Sequence, residues 1–596
     1  MSTRRIDVRI GGDDGRGVAN VAAPRPAVPV GELIYEVSGI RETAVFTYHQ
    51  SWLKHPNRFP LSPDMPLRDG PMFRTKAGNA SALPLPVADG APDSWGRAII
   101  KMGFKGEGRG RAPNDLDFLL ESDDFLRSGA LRYFDGPGEA GKALAAPRTA
   151  EKGGVVSVPR LYELDDVINA SRAFEADPEG YRAERGKFIG GDLIANVGSL
   201  GGARPKVNAR DDRGHLWIAK LAKQDDTYAL ARTELMALTL AARVGIQSSE
   251  TKILTTQAQR FPVALVKRFD RLDGGARVPF ISAQTFMGLE GSEPGNYVDL
   301  AHRMMTFCAN PKEQMAELHR RLMYTVLIQN TDDHLRNLGF IAAPSGKWQL
   351  SPAFDINPVP EDGTTLKTAI SDIHGNELSI EAVIEVAPYF DLTEDDAARA
   401  AQKMAATIRE EWRGIGASLG MSSTDYRAIA PAMESPQIAA ALRLGLPAAP
   451  SPKNGPESLG VAFAEILDST AEVDLGRQQV LKEAGLIPSK SSAADASSVV
   501  KSMIVDQAMI HFCEMPKTDR QRLLDALGLP TELDPDVKAG PTWVAGASAP
   551  GMVSESPVES NAAVVKSDVV DENEQSIDHH AKSLHRRPGR GTSFSR

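Results

Sequence analysis

Alternating apolar and polar positions divide the chain into stretches of distinct character. Residues 7–10 (Asp-Val-Arg-Ile) and 44–48 (Ala-Val-Phe-Thr-Tyr) repeat with the period of a strand. Pro92-Asp93-Ser94-Trp95 opens a helix that Asp93 or Ser94 can cap, and residues 115–120 and 123–131 continue the helical pattern. Residues 1–136 therefore predict a small mixed α/β domain, with Asp93 and Arg97 read as a cap and a surface or packing charge and no catalytic constellation. A Gly-, Ala- and Pro-rich linker and a helix over 161–174, with Leu161, Leu164 and Ile168 on one face, fill 137–186.

Strand and helix then alternate over 187–300. Residues 216–221 read as a strand. Residues 227–244 read as an amphipathic helix with Leu235, Leu238 and Ala242 in its stripe and Gly245 closing it. Residues 263–267 form an apolar strand ending in charge. Helical patterning dominates 301–445, starting with a helix over 318–329 and interrupted by a hairpin over 338–350. A second linker opens 446–533, an extra helical unit, and 534–596 has the Ala-, Ser-, Pro- and Glu-rich composition of disorder. The expected fold class is α+β. It is a bilobal, protein-kinase-like arrangement with the small α/β domain in front and a mainly helical C-terminal lobe and extension behind.

Composition narrows the function classes. At 596 residues the chain exceeds a single core. A formal net charge of −10 argues against a chain devoted to nucleic acid. Cys308 and Cys513 lack any CxxC or Cys/His spacing, so a disulfide framework or structural zinc is not expected and a reducing cytoplasm fits. No membrane span or signal peptide is expected.

The chemistry centres on Asn330-Thr331-Asp332-Asp333-His334-Leu335-Arg336-Asn337 and on Asp355 beyond the hairpin. An Asp and an Asn five positions apart, followed by a second Asp, suit phosphoryl transfer: Asp332 would face the acceptor hydroxyl while Asn337 and Asp355 hold magnesium. Asp333 reads as a supporting or solvated carboxylate, and His334 as a hydrogen-bonded structural residue. Upstream, the glycine-rich loop containing Ser199, Gly201, Gly202 and Ala203 could cradle phosphates, although it is neither GxxxxGK[ST] nor GxGxxG. Lys220 on a strand and Glu234 on the following helix complete an ATP site, and Lys267 and Phe269 mark a strand running into a hinge. Each of these charges alone is more often solvated; their order is what carries the reading.

The chain resembles the HipA-like serine/threonine kinases of bacterial toxin–antitoxin modules over about 6–440. The resemblance rests on residues 89–97 (Asp-Gly-Ala-Pro-Asp-Ser-Trp-Gly-Arg), 199–206 (Ser-Leu-Gly-Gly-Ala-Arg-Pro-Lys), the 330–337 motif and Phe354-Asp355-Ile356. It implies Asp332 as catalytic base, Asn337 and Asp355 as magnesium ligands, Lys220 on the ATP phosphates and Ser199 as a site of inactivating autophosphorylation. It further implies a protein substrate such as an aminoacyl-tRNA synthetase, and a helix-turn-helix antitoxin that binds operator DNA. Residues 277–285 lack the His- and acid-containing stretch of glutamyl-tRNA-synthetase-directed members. The region beyond 445 exceeds the usual family length. Two other readings stay open: a catalytically weak nucleotide-binding interaction protein, and a small-molecule kinase on the same fold.

Overall fold

The computed structural model describes residues 2–444, except 13–25, 79, 93, 107–109, 138–140, 145–157, 178–179, 181–203, 273–274, 292 and 362–364. These all belong to the first of two units, 1–449 and 450–596. The calls on Asp93, on the loop bearing Ser199, Gly201, Gly202 and Ala203, and on 446–533 and 534–596 lie outside the described residues.

An antiparallel five-stranded sheet comes first. It is built from β1 (Ser2–Ile10), β2 (Val28–Ser38), β3 (Arg41–Tyr48), β4 (Met72–Thr75) and β5 (Leu131–Phe134), in the order β4-β3-β2-β1-β5. Strand β1 lies inside the sheet, so its alternation does not expose a polar face. Ile6 and Val8 enter the core, while Asp7 and Arg9 are also buried and pair at 2.6 Å. The Arg9 guanidinium further stacks on Phe134. Gly31 in β2 is a steric requirement: a Cβ there would stand 2.5 Å from the Thr47 carbonyl oxygen and 2.6 Å from the Phe46 ring.

Helices α1 (Gln50–Leu53), α2 (Leu85–Ala88), α3 (Ser94–Gly106) and α4 (Asp115–Glu121) accompany this sheet. Asn114 caps α4 through a reciprocal box with Asp117, a device worth about 1 kcal/mol. The helical pattern does not continue over 123–131. Asp123 Oδ1 accepts the Phe125 N–H at 2.7 Å, turning the chain, and Asp124 and Arg127 go inward.

A four-stranded antiparallel sheet follows, from β6 (Lys206–Arg210), β7 (Leu216–Lys220), β8 (Thr251–Leu254) and β9 (Val263–Lys267), in the order β6-β7-β9-β8. Helix α5 (Leu164–Ala176) covers one side, where Leu164 and Ile168 pack with Val207, Trp217 and Leu265. Helix α6 (Leu230–Arg243) has a different buried face from the expected stripe. Leu235 and Leu238 are inside but Ala242 is exposed, and Thr233, Glu234, Met236, Ala237, Leu240 and Ala241 are buried instead. The helix lies between the sheet and the helical region, so it is covered on more than one side and a single stripe cannot describe it.

The rest is mainly helical: α7 (Ala283–Met287), α8 (Tyr297–Phe307), α9 (Pro311–Leu327), α10 (Ile380–Glu385), α11 (Glu394–Ser418), α12 (Ser423–Met433) and α13 (Pro436–Arg443). Helix α9 starts earlier than its apolar periodicity suggests, at Pro311 in the first turn, and buries Leu318, Leu322, Met323, Val326 and Leu327. A small antiparallel sheet, β10 (Phe280–Ser282), β11 (Gly339–Ala342) and β12 (Trp348–Leu350), contains the expected hairpin. The class is α+β. No helix among the described residues is long and apolar enough to cross a membrane.

Candidate active site

Strands β6 and β7 place Lys206 directly opposite Lys220. Like charges facing each other across strands repel, and their position is explained only by what they share. Lys220 Nζ stands 2.6 Å from Asp355 Oδ1 and also bonds Glu234 on α6, while Lys206 Nζ stands 3.7 Å from Asp355 Oδ2. Burial alone would lower the Lys220 ammonium, but the Asp355 and Glu234 carboxylates outweigh it and hold it above the ordinary lysine range. Burial would likewise raise Asp355, yet Lys220 and Lys206 keep it well below the usual carboxylate range. Lys206 was not among the sequence candidates. Its signal was the strand pairing, which puts it in register with Lys220.

Asp355 sits at φ +55°, in the left-handed region that costs a non-glycine residue roughly 1–2 kcal/mol. Local bonds hold it there: Asn357 Nδ2 donates to Asp355 Oδ1 at 3.2 Å, and the Asn357 N–H donates to Asn330 Oδ1 at 3.1 Å. Asn330 therefore ties the 330–337 loop to the Asp355 turn.

Within that loop Asp332 is exposed. Asn337 Nδ2 donates to the Asp332 carbonyl oxygen at 2.9 Å, which turns the amide so that Oδ1 is its other end. Asp333 is buried and acts as a clasp. It accepts from the Tyr297 hydroxyl at 3.0 Å and from the Lys367 and Thr368 N–H groups at 2.6 and 3.3 Å. Burial pushes its carboxyl up to about 7. His334 lines the cleft, and its Nδ1 is buried without a partner.

Lys206, Lys220, His334, Asn337 and Asp355 line one cleft of ≈ 460 Å³, whose lining does not include Asp332, Asp333 or Glu234. Its inner half is bounded by Lys206, Ile218, Lys220, Val266, Phe354 and Asp355, with Asn337 and His334 at the edge. Lys267 and Phe269 also border it. The Lys267 ammonium pairs with Glu250 at 3.2 Å. The Lys267 and Arg268 N–H groups already donate to Glu250 O and Leu216 O. The Phe269 amide is the first past the strand with no backbone partner among the described residues. Its ring packs 5.6 Å from Phe354 and 5.7 Å from Phe280, forming an aromatic wall of mutually tilted rings.

The first domain, in which the sequence shows no catalytic constellation, also lines the cleft. Asp89, Pro92, Arg97 and Asp115 all line the cleft. Arg97 is not a free surface charge: its Nε donates to the Pro92 carbonyl at 2.9 Å and its guanidinium lies over Phe118. Only the tertiary fold could show this, because the first domain meets Ser282 and Arg336 across a long sequence gap.

Behind the cleft, the strand exit is locked by buried charge. Asp270 accepts from Arg268, Arg271 and the Gly129 N–H, and the neighbouring guanidiniums hold its carboxyl well below the usual range despite burial. Asp124 is shared by Arg127, Arg132 and Arg277.

Two family models match in this order along the chain: the HipA N-terminal domain over 25–121 and the HipA-like C-terminal domain over 198–412. Together they cover just over half of the sequence and span both halves of the cleft. The chain belongs to the HipA-like family. Two relatives match parts of the chain. "Putative kinase" of Haemophilus influenzae is 31% identical over 78 residues, 13% of this chain and 23% of that protein. "Putative kinase Y4dM" of Sinorhizobium fredii is 27% identical over 157 residues, 24% of this chain and 37% of that one. The matched stretches thus span well under half of either relative. Among solved structures, HipA from the Shewanella oneidensis toxin–antitoxin complex of HipA, HipB and operator DNA matches with a TM-score of 0.49 and 16% identity. That match covers 70% of this chain and 95% of that one.

Proposed function

We propose that the chain is an ATP- and magnesium-dependent serine/threonine protein kinase of the HipA-like type, a growth-inhibiting toxin component working in the cytoplasm. The observation that carries this is Lys220 held between Glu234 and Asp355 at the base of a cleft that Asn337 also lines. A buried ammonium kept charged by two carboxylates suits the triphosphate of ATP, and the aromatic wall at Phe269 with the adjacent amide suits adenine. The loop of Ser199, Gly201, Gly202 and Ala203 would add backbone N–H groups to the phosphates, with Ser199 the candidate autophosphorylation switch.

Among the described residues no group of three or more His, Cys, Asp or Glu lies together as a metal cage. The donor set on offer is the Asp355 carboxylate and the Asn337 amide oxygen. Such hard oxygen donors fit magnesium, which keeps waters and completes its shell with substrate phosphates. When bound, the ion would neutralise charge on those phosphates. Asp332, exposed in the same loop as Asn337, would orient the serine or threonine hydroxyl and accept its proton as the new O–P bond forms and the bond to ADP breaks. From family membership we extend the proposal to a protein substrate, an aminoacyl-tRNA synthetase being one candidate. The same membership suggests a helix-turn-helix antitoxin partner and, through it, operator DNA.

The test is transfer of labelled phosphate from ATP in a cell lysate by the purified chain and by Asp332→Ala. Label should land on protein only with the wild-type chain, while the variant still binds ATP. Equal transfer by Asp332→Ala refutes the assignment. Label on a small molecule favours a metabolite kinase, and ATP binding without any transfer favours an interaction protein.

A further inference from the structure

The first domain reaches the catalytic loop through a short relay of polar contacts. Asp89, half-buried after α2 at the edge of the cleft, accepts the Ser282 N–H at 2.7 Å and the Ser282 hydroxyl at 2.9 Å. Ser282 caps α7, its Oγ accepting the Thr285 N–H at 3.1 Å. On that helix Gln284 is held from one end, Nε2 donating to the Gly291 carbonyl at 2.7 Å. Its other end accepts from Arg336 Nε at 2.8 Å. Arg336 lies in the loop, four residues past Asp332 and next to Asn337. A second strand of the same connection is main-chain: the Gln284 N–H donates to the Leu335 carbonyl.

Each link is directional, so the position of the loop depends on where Asp89 holds α7. A carboxylate accepting two bonds from one serine is an unusual investment for a domain that merely sits alongside. Burial makes the site intolerant of a vacancy, since an unpaired Ser282 donor would carry its own desolvation cost.

We propose that Asp89 and Gln284 are positioning residues that set the catalytic loop 332–337 from the first domain, through Ser282 and Arg336. Neither touches the reacting atoms. Both act on where Asp332 and Asn337 stand, and small displacements at a reacting centre reduce turnover by ~10- to 100-fold. The inference rests on the proposed kinase reading for its activity assay, and a second measurement keeps the two separable.

The experiment compares wild type with Gln284→Ala, Gln284→Glu and Asp89→Ala. Hydrogen exchange of peptides covering 330–340 is read alongside kcat and the KM for ATP. Gln284→Ala and Asp89→Ala should speed exchange in the loop and lower kcat ~10-fold or more; because both side chains border the cleft, loop exchange rather than the KM for ATP separates positioning from ligand contact. Gln284→Glu keeps an oxygen for Arg336 but loses the donor to the Gly291 carbonyl, so it should restore kcat only in part. Loss in Asp89→Ala explained by unfolding alone would show in the melting temperature; Gln284, on a partly exposed helix, then decides. Unchanged loop exchange and kcat in Gln284→Ala overturn the proposal. If the wild-type chain transfers no phosphate, the kinase reading fails while loop exchange still judges the relay.

Discussion

Two ionic clusters flank strand β9, and they solve the problem of buried charge in opposite ways. At the cleft, two lysines face two carboxylates, and the group keeps contact with solvent: the Lys220 and Asp355 side chains are 17% and 23% exposed. At the strand exit, Arg127, Arg132, Arg268, Arg271 and Arg277 crowd around Asp124 and Asp270, with Arg268 2% exposed and Arg127 sealed. A lysine ammonium is a point charge that needs charge opposite it. An arginine fork can discharge its N–H groups onto carbonyls, and here it does. Arg268 donates to Leu126 O and Arg127 O, and Arg271 to Phe125 O, Arg127 O and Gly129 O. The lysine cluster can therefore exchange partners when a ligand enters, whereas the arginine cluster is committed to the fold.

The strongest way to break this contrast is Asp270→Ala. It leaves guanidiniums buried beside a vacancy and should destabilise the chain by about 3–5 kcal/mol, seen as a large drop in chemical-denaturation midpoint. Lys220→Met comes next. It should cost at least ~100-fold in phosphate transfer but less stability than Asp270→Ala, because Asp355 borders an open cleft and can take water, leaving only the buried Glu234 beside the vacancy. Equal destabilisation by the two substitutions would erase the distinction between the clusters.

Asp333 offers a subtler probe. Its folded-state carboxyl is raised from 3.8 to about 7, so the fold favours the protonated form. Its contribution is fully present below about 4 and is lost as pH rises through about 7. The stability of Asp333→Asn relative to wild type should thus rise between pH 5 and pH 8, measured as the difference in melting temperature at each pH. A flat difference would mean that Asp333 is ionised throughout. The smallest effect belongs to Lys267→Ala. Its ion pair with Glu250 is partly exposed and worth under about 1 kcal/mol, and its ammonium is engaged there. Titration should find ATP affinity within about twofold of wild type.

Strands 7–10, 44–48, 216–221 and 263–267 could be read from their alternation because periodicity is a local property of the chain. The same locality misled at 123–131, where a helical repeat gave way to a turn once Asp124 and Arg127 found partners inside. It also misled at Ala242, since α6 is covered from more than one side. Lys206 and the cleft wall of Asp89, Arg97 and Asp115 could not be found from spacing. Their meaning depends on strand register and on contacts such as Asp89 to Ser282, 193 residues apart.

The sequence by itself determined which chemical groups the chain has to offer and their order: a strand lysine, a helix glutamate, then the Asp332–Asn337 loop and Asp355. The tertiary structure decided which of those charges share a partner, which are sealed from water, and that the first domain lines part of the cleft. Residue type and repeat are written locally, but the fate of a buried charge depends on desolvation and on the opposite charge that reaches it. Those are set by segments 135 and 141 residues away, as for Lys220 with Asp355 and Gly129 with Asp270.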